Sequence, residues 1–256
     1  MLDHWRLLRN CTARLCLVGA LGSLCLSGLS HAEVLVVFGD DNYPPVIYAK
    51  NGQATGVLAD ILRKVSARSG DTYDLQLFPW KRAYEQARLG NGAVVGISMT
   101  AERRAIFDFS EPLYNDDIQI VMLKEHPFPF SQLSDLKGKT LGGVLGASYG
   151  DVVDRAIHDG LFTVDHDIGQ TGRLRKLLAR RIDAALIGNG NAGYETVLQS
   201  DPELQAQRSR LIVVKPPLAH DPLYLAVAKR MNKSAVIKRF NTALRELQVA
   251  GEFRQP

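Results

Sequence analysis

The stretch from Gly96 to Tyr114 combines residue types that together can bind an anion. It reads Gly-Ile-Ser-Met-Thr-Ala-Glu-Arg-Arg-Ala-Ile-Phe-Asp-Phe-Ser-Glu-Pro-Leu-Tyr, which is typical of a strand end followed by a helix start. Thr100 belongs to the residue types that cap helices, and Arg103 lies in the first turn that it would cap. Free backbone N–H groups and a guanidinium would converge there, so the pattern predicts a carboxylate site. A solvated surface helix is the alternative interpretation.

The N-terminal segment has the features of a secretory signal. A start segment with three arginines precedes an apolar run over residues 15–29, and small residues follow up to Ala32. The run of 15 residues is shorter than the roughly 20 that are needed to span a bilayer. We therefore expect a signal peptide over residues 1–32, cleavage after Ala32, and a periplasmic protein.

Composition excludes several classes of function for the exported chain. All three cysteines, Cys11, Cys16 and Cys25, lie within residues 1–32, so no disulfide or thiol nucleophile is expected after cleavage. The net charge of +4 falls to about +2 without the three arginines and one aspartate of that segment, which does not indicate nucleic-acid binding. The four remaining histidines lack metal-ligand spacing, so we expect no metal and no cofactor.

The first part of the exported chain alternates strand and helix signals. Short apolar runs at residues 34–38, 73–78 and 93–97 predict strands, and apolar residues at helical spacing over 57–67 and 81–89 predict helices between them. An Asn-Gly pair at 51–52 predicts a hairpin turn. The resulting βαβαβ order indicates an α/β fold.

A second α/β unit follows a proline-interrupted segment at residues 126–130. Strands are expected at 119–123, 140–145 and 184–187, and helices at 151–158 and 173–180. Two further strands, at 211–214 and 223–228, bracket the Pro216-Pro217 pair before a last helix at 234–249. A chain that leaves the first unit and later returns to it predicts two crossings between units.

At this level of detail the chain resembles the bacterial extracellular solute-binding proteins of family 3, the receptors of polar amino-acid ABC importers. The resemblance covers nearly the whole exported chain and is carried by five segments: Tyr43-Pro44-Pro45, residues 56–62, Ser98-x-Thr100-x-x-Arg103, residues 109–114 and residues 135–139. It implies a two-lobed type II periplasmic-binding-protein-like fold, with two α/β lobes joined by two hinge strands. The implied boundaries are residues 33–118 for the first part of lobe 1, 119–217 for lobe 2, and 218–256 for the return to lobe 1.

The resemblance also implies a ligand site in the cleft between the lobes. Its residues would be Asp40, Tyr43, Trp80, Gly96, Ser98, Arg103, Ser148 and Asn189. Tyr43 or Trp80 would supply an aromatic wall, and Ser98 and Arg103 would hold a carboxylate. Ser148 and its backbone N–H would close from the second lobe. The expected ligand is a small carboxylate, an amino acid or related compound, which a monomer captures by lobe closure for the membrane permease of an ABC importer.

One position departs from the pattern of the amino-acid receptors in this family. Where an aspartate usually grips the ligand's ammonium, this chain has Gly188 followed by Asn189. The Gly96 carbonyl would still accept an ammonium, and Asp40 or Asp41 could supply the missing charge from the other lobe. The ligand could therefore differ from a standard α-amino acid.

Two enzymatic alternatives arise from the same scaffold. The segment Gly146-Ala147-Ser148-Tyr149-Gly150 matches a nucleophile elbow, with Asp183 and His220 following in hydrolase order. A dehydratase acting on cyclic carboxylates is the other alternative, and its general acid would be Asp40, Asp41 or Glu111. The main interpretation is a binding protein without catalytic residues.

A sensor that presents its closed form to a signalling partner is a third alternative. It would use the same binding residues as an importer's receptor, because closure around a ligand is the signal in both cases. The sequence alone does not separate transport from sensing.

Overall fold

Strands and helices alternate through residues 33–253, the part of the chain that this computed structural model describes. The predicted signal peptide and its cleavage site after Ala32 lie outside the described residues. The strands are β1 Val34–Asp40, β2 Asn42–Tyr43, β3 Ile47–Lys50, β4 Gln53–Thr55, β5 Thr72–Phe78, β6 Ala93–Ser98, β7 Phe107–Phe109, β8 Tyr114–Leu123, β9 Thr140–Val144, β10 Thr163–Asp167, β11 Ala184–Ile187 and β12 Leu211–Ala228. The helices are α1 Val57–Ser69, α2 Trp80–Arg88, α3 Ala101–Ile106, α4 Asp151–His158, α5 Gln170–Leu178, α6 Gly190–Gln199, α7 Pro202–Ala206 and α8 Ser234–Val249. Within residues 33–253, no helix is both long enough and apolar enough to cross a membrane.

Two long antiparallel strands, β8 and β12, occupy the middle of the main sheet. The strand order is β10-β9-β11-β8-β12-β6-β1-β5, and β7 also pairs with β12. We call the half with β1, β5 and β6 the first lobe, and the half with β9, β10 and β11 the second lobe. Helices alternate with parallel strands in both lobes, as the βαβ order of the sequence predicts. The predicted two-lobed α/β fold is confirmed.

The pairing of β8 with β12 is interrupted once. It runs from Leu211 opposite Leu123 to Leu223 opposite Tyr114, and its register shifts between Val214 and Ala219. The Pro216-Pro217 pair lies within this shift. It accounts for the interruption, because a proline has no backbone N–H to donate to the neighbouring strand. The sequence predicted two strands here, whereas the structure joins them into one strand of 18 residues. The predicted lobe boundaries at residues 118 and 217 fall inside β8 and β12 and stay predictions.

Glycines set the ends of α1 in the first lobe. Gly56 precedes the helix with φ 111°, and a Cβ there would lie 2.6 Å from the Val46 carbonyl oxygen. Gly70 ends the helix in the left-handed conformation. The hairpin predicted at Asn51-Gly52 is confirmed, because β3 and β4 pair on either side of it.

Each lobe buries an apolar core of its own. In the first lobe, α1 and α8 pack on the sheet through side chains such as Leu58, Val65 and Phe240. The second lobe has separate clusters that include Leu141, Phe162 and Leu177. The lobes can therefore move apart without exposing either core.

Helix α6 and strand β10 are among the elements of the second lobe that the sequence analysis missed. Helix α6 begins with Gly190 and contains Gly193, and glycine lowers helix propensity by about 1 kcal/mol. Strand β10 lies at the sheet edge and includes Asp165 and His166, so it lacks an apolar run. The glycines of α6 and the polar residues of β10 therefore left no clear helix or strand pattern in the sequence.

Phe240 provides a test of the first-lobe core. Its side chain is fully buried and meets the Tyr73 ring edge-on at 5.5 Å. Phe240→Ala should lower the free energy of unfolding by about 3–5 kcal/mol, because it removes a large side chain and leaves a cavity. Urea denaturation measures this, with Val249→Ala as the control at a residue that is 91% exposed. A loss below about 1 kcal/mol would contradict this account of the core.

Candidate ligand-binding site

A cavity of about 70 Å³ lies between the lobes, at the ends of the strands. Six of the eight residues predicted for the site line it: Asp40, Tyr43, Trp80, Gly96, Ser98 and Ser148. The other two, Arg103 and Asn189, are buried nearby and are not among the lining residues.

The first-lobe residues reach the cavity because parallel strands end at one edge of the sheet. Asp40 ends β1, Ser98 ends β6, and Gly96 lies two residues earlier with φ 82°. Trp80 is the first residue of α2, directly after β5. Ligands of open α/β sheets bind at this edge.

Trp80 also connects the lobes. Its indole Nε1 donates a hydrogen bond to the Gly146 carbonyl oxygen at 3.0 Å, across the cleft. The ring is one wall of the cavity, and only 8% of the residue is exposed; its predicted role as a wall over the ligand stays a prediction. The aromatic wall therefore depends on the closed arrangement of the lobes.

A second cross-lobe contact lies at the lip of the cleft. The Ala101 backbone N–H, at the start of α3, donates to both carboxylate oxygens of Asp151 at 3.0 and 3.2 Å. Arg104 lies 3.9 Å from the same carboxylate. These contacts join the first turn of α3 to the first turn of α4, so the structure represents a closed form.

Arg103 lies behind the cavity. The cap predicted for its helix is present, because Thr100 Oγ1 accepts from the Arg103 backbone N–H at 3.2 Å. The guanidinium donates to the Ser98 carbonyl at 3.1 Å and to the Gly146 carbonyl at 3.4 Å, and it lies 5.1 Å from the Tyr84 ring. Burial lowers the pKa of Arg103. Its assignment as a carboxylate ligand stays a prediction.

The structure explains why residue 188 is glycine. A Cβ at Gly188 would overlap with the phenol oxygen of Tyr43, which enters the second lobe at this point. That phenol donates a hydrogen bond to Asp116 on β8. Burial, together with the charge of Asp116, raises the pKa of Tyr43 well above its ordinary value, so the phenol stays a donor. Tyr43 thus excludes an aspartate side chain at position 188, and Asp116 on β8 supplies a carboxylate beside the cavity instead.

Asn189 supports this arrangement from outside the cavity. It has φ 62°, in the left-handed region that asparagine tolerates. Its backbone N–H donates to Asp116, and its side-chain oxygen accepts from the Tyr114 hydroxyl. The predicted role of Asn189 as a direct ligand contact stays a prediction.

Asp221 on β12 is a lining residue that the sequence analysis missed. It accepts a hydrogen bond from the Ser98 hydroxyl at 2.5 Å, and both side chains are buried. The two residues are 123 positions apart in the chain. The Ser98 hydroxyl, predicted to hold the carboxylate of a ligand, thus holds a carboxylate of the protein.

Two buried carboxyls, Asp116 and Asp221, and the half-buried Asp40 make the cavity acidic. Burial raises the pKa of Asp40 to about 7, of Asp116 to about 6 and of Asp221 to about 7. Arg173 lowers the pKa of Asp40 and Arg103 lowers that of Asp221, each by less than burial raises it. The closed form therefore favours protons or cations at these groups.

Arg173 is the cation that lines the cavity, and its charge is already paired. The Asp167 carboxylate accepts from Arg173 Nε at 3.0 Å and from Nη2 at 2.7 Å. The third nitrogen donates to the Leu186 carbonyl. All three guanidinium nitrogens thus donate to groups of the protein, so Arg173 has few N–H groups left for a ligand.

The residues of the hydrolase alternative do not come together. The Ser148 hydroxyl donates to Asp154, and the Ser148 carbonyl faces Ser98. His220 pairs with Asp117 and is largely exposed, and Asp183 accepts from the Thr140 backbone N–H. No base therefore contacts Ser148 in the way that acyl transfer requires.

The dehydratase alternative has few groups in the right place. Glu111 accepts from Arg245 at 2.8 Å and does not line the cavity. Asp40 lines the cavity, and its Oδ1 accepts from the Asn42 backbone N–H at 2.9 Å. In the described residues, no group of three or more His, Cys, Asp or Glu side chains could hold a metal ion.

Asp116 and Asp221 could have been found from one feature of the sequence. Asp221 interrupts the otherwise neutral residues 216–228, and Asp116 stands with Asp117 directly before the largely apolar residues 118–123, which cross between the lobes. A charge at the point where two crossing strands pass the cleft is expensive to bury, so it indicates a functional group. The position of Arg173 at the cavity could not be recognised in this way, because its pairing with Asp167 forms only in the folded structure.

Curated relatives of this chain are binding proteins by name. It is 23% identical over 245 residues to the probable amino-acid-binding protein YxeM of Bacillus subtilis (strain 168), covering 95% of this chain and 89% of the relative. This similarity supports a binding role rather than an enzymatic one.

Solved structures share the fold. An ancestral arginine-binding protein bound to arginine superposes with a TM-score of 0.71 at 23% identity, covering 86% of this chain and 94% of that one. A histidine kinase sensor domain similar to periplasmic binding proteins gives a TM-score of 0.72 at 21% identity, covering 86% and 92%. At these identities the likeness concerns the fold and not the ligand.

The family itself is shown by a match along most of the chain. The profile of the bacterial extracellular solute-binding proteins, family 3, matches residues 35–255. The matched range includes the residues that line the cavity from both lobes. The chain belongs to the bacterial extracellular solute-binding proteins of family 3.

Proposed function

We propose that this protein is the periplasmic receptor of an ABC importer and captures a small solute with an ammonium group by closing its lobes. The observation that carries the proposal is the acidic cavity, which residues from both lobes and from both central strands enclose. The named relative that binds amino acids supports a ligand of this size. The permease would recognise the closed form.

The ligand stabilises the closed conformation because it contacts both lobes only in that conformation. A ligand shifts an equilibrium only by the difference between its affinities for the two states. Here the Trp80–Gly146 hydrogen bond, the approach of Tyr43 to Gly188 and the Ala101–Asp151 contact exist together only when the lobes meet. A solute that contacts both lobes therefore favours the closed form.

A thermal-shift screen of the exported chain, residues 33–256, tests the function. The protein is stripped of ligand by unfolding and refolding, and is then mixed with amino acids, aliphatic amines, dicarboxylates and neutral sugars. A ligand at about 100 times its dissociation constant should stabilise the folded form by about 2.7 kcal/mol. We expect a saturable shift with amine-bearing solutes. If no compound of any class shifts the transition, a solute-receptor function is contradicted.

Gly188→Ala tests the closure mechanism. The added methyl group would overlap with Tyr43 only when the lobes are closed, so each lobe should keep its stability while closure is impaired. We expect overpacking of about 1–3 kcal/mol, which lowers ligand affinity by roughly 5- to 150-fold in isothermal titration calorimetry. Gly172→Ala is the matched control, because no atom lies within 4 Å of its added Cβ. Equal affinities in the two variants would contradict closure at this contact.

The buried carboxyls predict that closure without ligand depends on pH. The pKa is about 7 for Asp40 and Asp221 and about 6 for Asp116 in the closed form, whereas a solvated aspartate has a pKa of about 3.9. Each group takes up a proton on closing within this window. Closing therefore becomes less favourable as the pH rises, by up to about 1.4 kcal/mol per pH unit and group.

Small-angle X-ray scattering of the ligand-free protein checks this prediction. We expect a smaller radius of gyration at about pH 5 than at about pH 8. Asp221→Asn should weaken the dependence, because its amide does not ionise. The exposed Asp74 on β5 supplies the control Asp74→Asn, which should behave like the parent. A radius that does not change with pH would show that burial of the carboxyls does not govern closure.

A further inference from the structure

The anion-binding group that the sequence predicts on the first lobe is already occupied by the protein. Ser98 Oγ donates to Asp221 Oδ2 at 2.5 Å, and the two residues are 5% and 7% exposed. The charge of Arg103 acts on the same carboxylate from behind. Asp221 thus fills the position in which Ser98 and Arg103 would hold the carboxylate of a ligand.

The remaining donors of this subsite are also committed. Arg103 Nη1 and Nη2 donate to the carbonyl oxygens of Ser98 and Gly146, and the guanidinium lies against the Tyr84 ring. Since Arg103 does not line the cavity, a ligand carboxylate would have to displace both Asp221 and these carbonyl contacts. It would also meet the like charge of Asp221.

The other charged groups of the cavity favour a cation. Asp40 and Asp116 line it in addition to Asp221, whereas the charge of Arg173 is paired with Asp167. In the part of the chain that the structure describes, Asp221 Oδ1 receives no hydrogen bond from the protein. Asp40 accepts from the Asn42 backbone N–H through Oδ1 at 2.9 Å and also lines the cavity. Both carboxylates can thus accept hydrogen bonds from ammonium groups.

The space between the carboxyls is apolar. Ile47, Val95, Ile118, Leu186 and Leu223 contribute side chains to the lining, together with the Trp80 ring. An alkyl chain gains free energy by leaving water for such a surface, and it brings no polar group that would need a partner. Cationic ends joined by an alkyl chain match this distribution of charge.

We propose that the ligand is an aliphatic amine cation without a free carboxylate, since Asp221 already supplies the carboxylate of this subsite. The inference rests on the proposed receptor function and specifies its ligand class. The protein's own aspartate converts an amino-acid subsite into one that selects an amine. A solute with two ammonium groups meets one acceptor near Asp221 and another near Asp40.

Matched pairs of probes test the inference. Cadaverine and lysine share an alkyl diamine and differ in the carboxylate of lysine, and putrescine and ornithine form a second pair. Titration calorimetry on ligand-stripped protein should show that each diamine binds at least about tenfold more tightly than its amino acid. Equal affinity, or a preference for the amino acids, would overturn the inference.

Variants of Asp221 determine whether this residue sets the preference. In Asp221→Ala the anion subsite is vacated, so the preference for cadaverine over lysine should fall by at least about tenfold. Asp221→Asn keeps the shape, removes the charge and should shift the same ratio in the same direction. Asp117→Asn removes an exposed carboxylate outside the cavity and should leave the ratio at the parent value. A ratio that all three variants leave unchanged would overturn the role of Asp221.

The outcomes separate this inference from the receptor function. Binding of an amino acid in the broad screen, with no binding of either diamine, overturns the amine inference and leaves the proposed function standing. Binding of only a dicarboxylate or a sugar overturns the ammonium specificity of both and leaves a solute receptor of another class. Absence of binding by any solute overturns both. Ligand-free thermal unfolding of each variant confirms that it is folded before its affinities are compared.

Discussion

The burial of three carboxyls between the lobes is the constraint on which the closed structure depends. In the open form Asp40, Asp116 and Asp221 can be hydrated, whereas in the closed form they line an otherwise largely apolar cavity. Their charges must then be offset by protons or by a cation, because an unpaired buried charge is strongly destabilising. Since each lobe has its own core, opening relieves this cost without unfolding either lobe. Ligand recognition and lobe closure are thus consequences of the same electrostatic requirement.

In the arrangement of Gly188, Tyr43 and Asp116, the carboxylate near the cavity belongs to β8 and not to residue 188. Tyr43 extends from the first lobe into the space that a side chain at 188 would fill, and it donates to Asp116 on β8. The carboxylate therefore stands on a strand that continues through both lobes rather than on a loop of the second lobe. The approach of Tyr43 to Gly188 requires the lobes to meet, so the residue that donates to this carboxylate is also placed by closure.

The sequence predicted the fold well because the fold is encoded locally. Alternating apolar runs and helical spacing locate most of the strands and helices, and Thr100 caps α3 as expected. Glycine-rich α6 and polar β10 escaped because tertiary packing, rather than local propensity, stabilises them. The chemistry of the site was harder to predict, because it depends on contacts between distant residues. Ser98 and Asp221 are 123 positions apart, and no local pattern links them.

This distinction also explains why likeness to arginine-binding structures is a weak guide to the ligand. A TM-score of 0.71 reflects the path of the chain, whereas specificity depends on which few polar groups reach the cavity and whether they are already paired. Arg103 and Ser98 have the residue types of a carboxylate clamp, yet both are hydrogen-bonded within the protein. A residue that keeps its identity but gains an internal partner no longer offers the same group to a ligand. The partner of each polar group, more than its type, therefore determines what this cleft can bind.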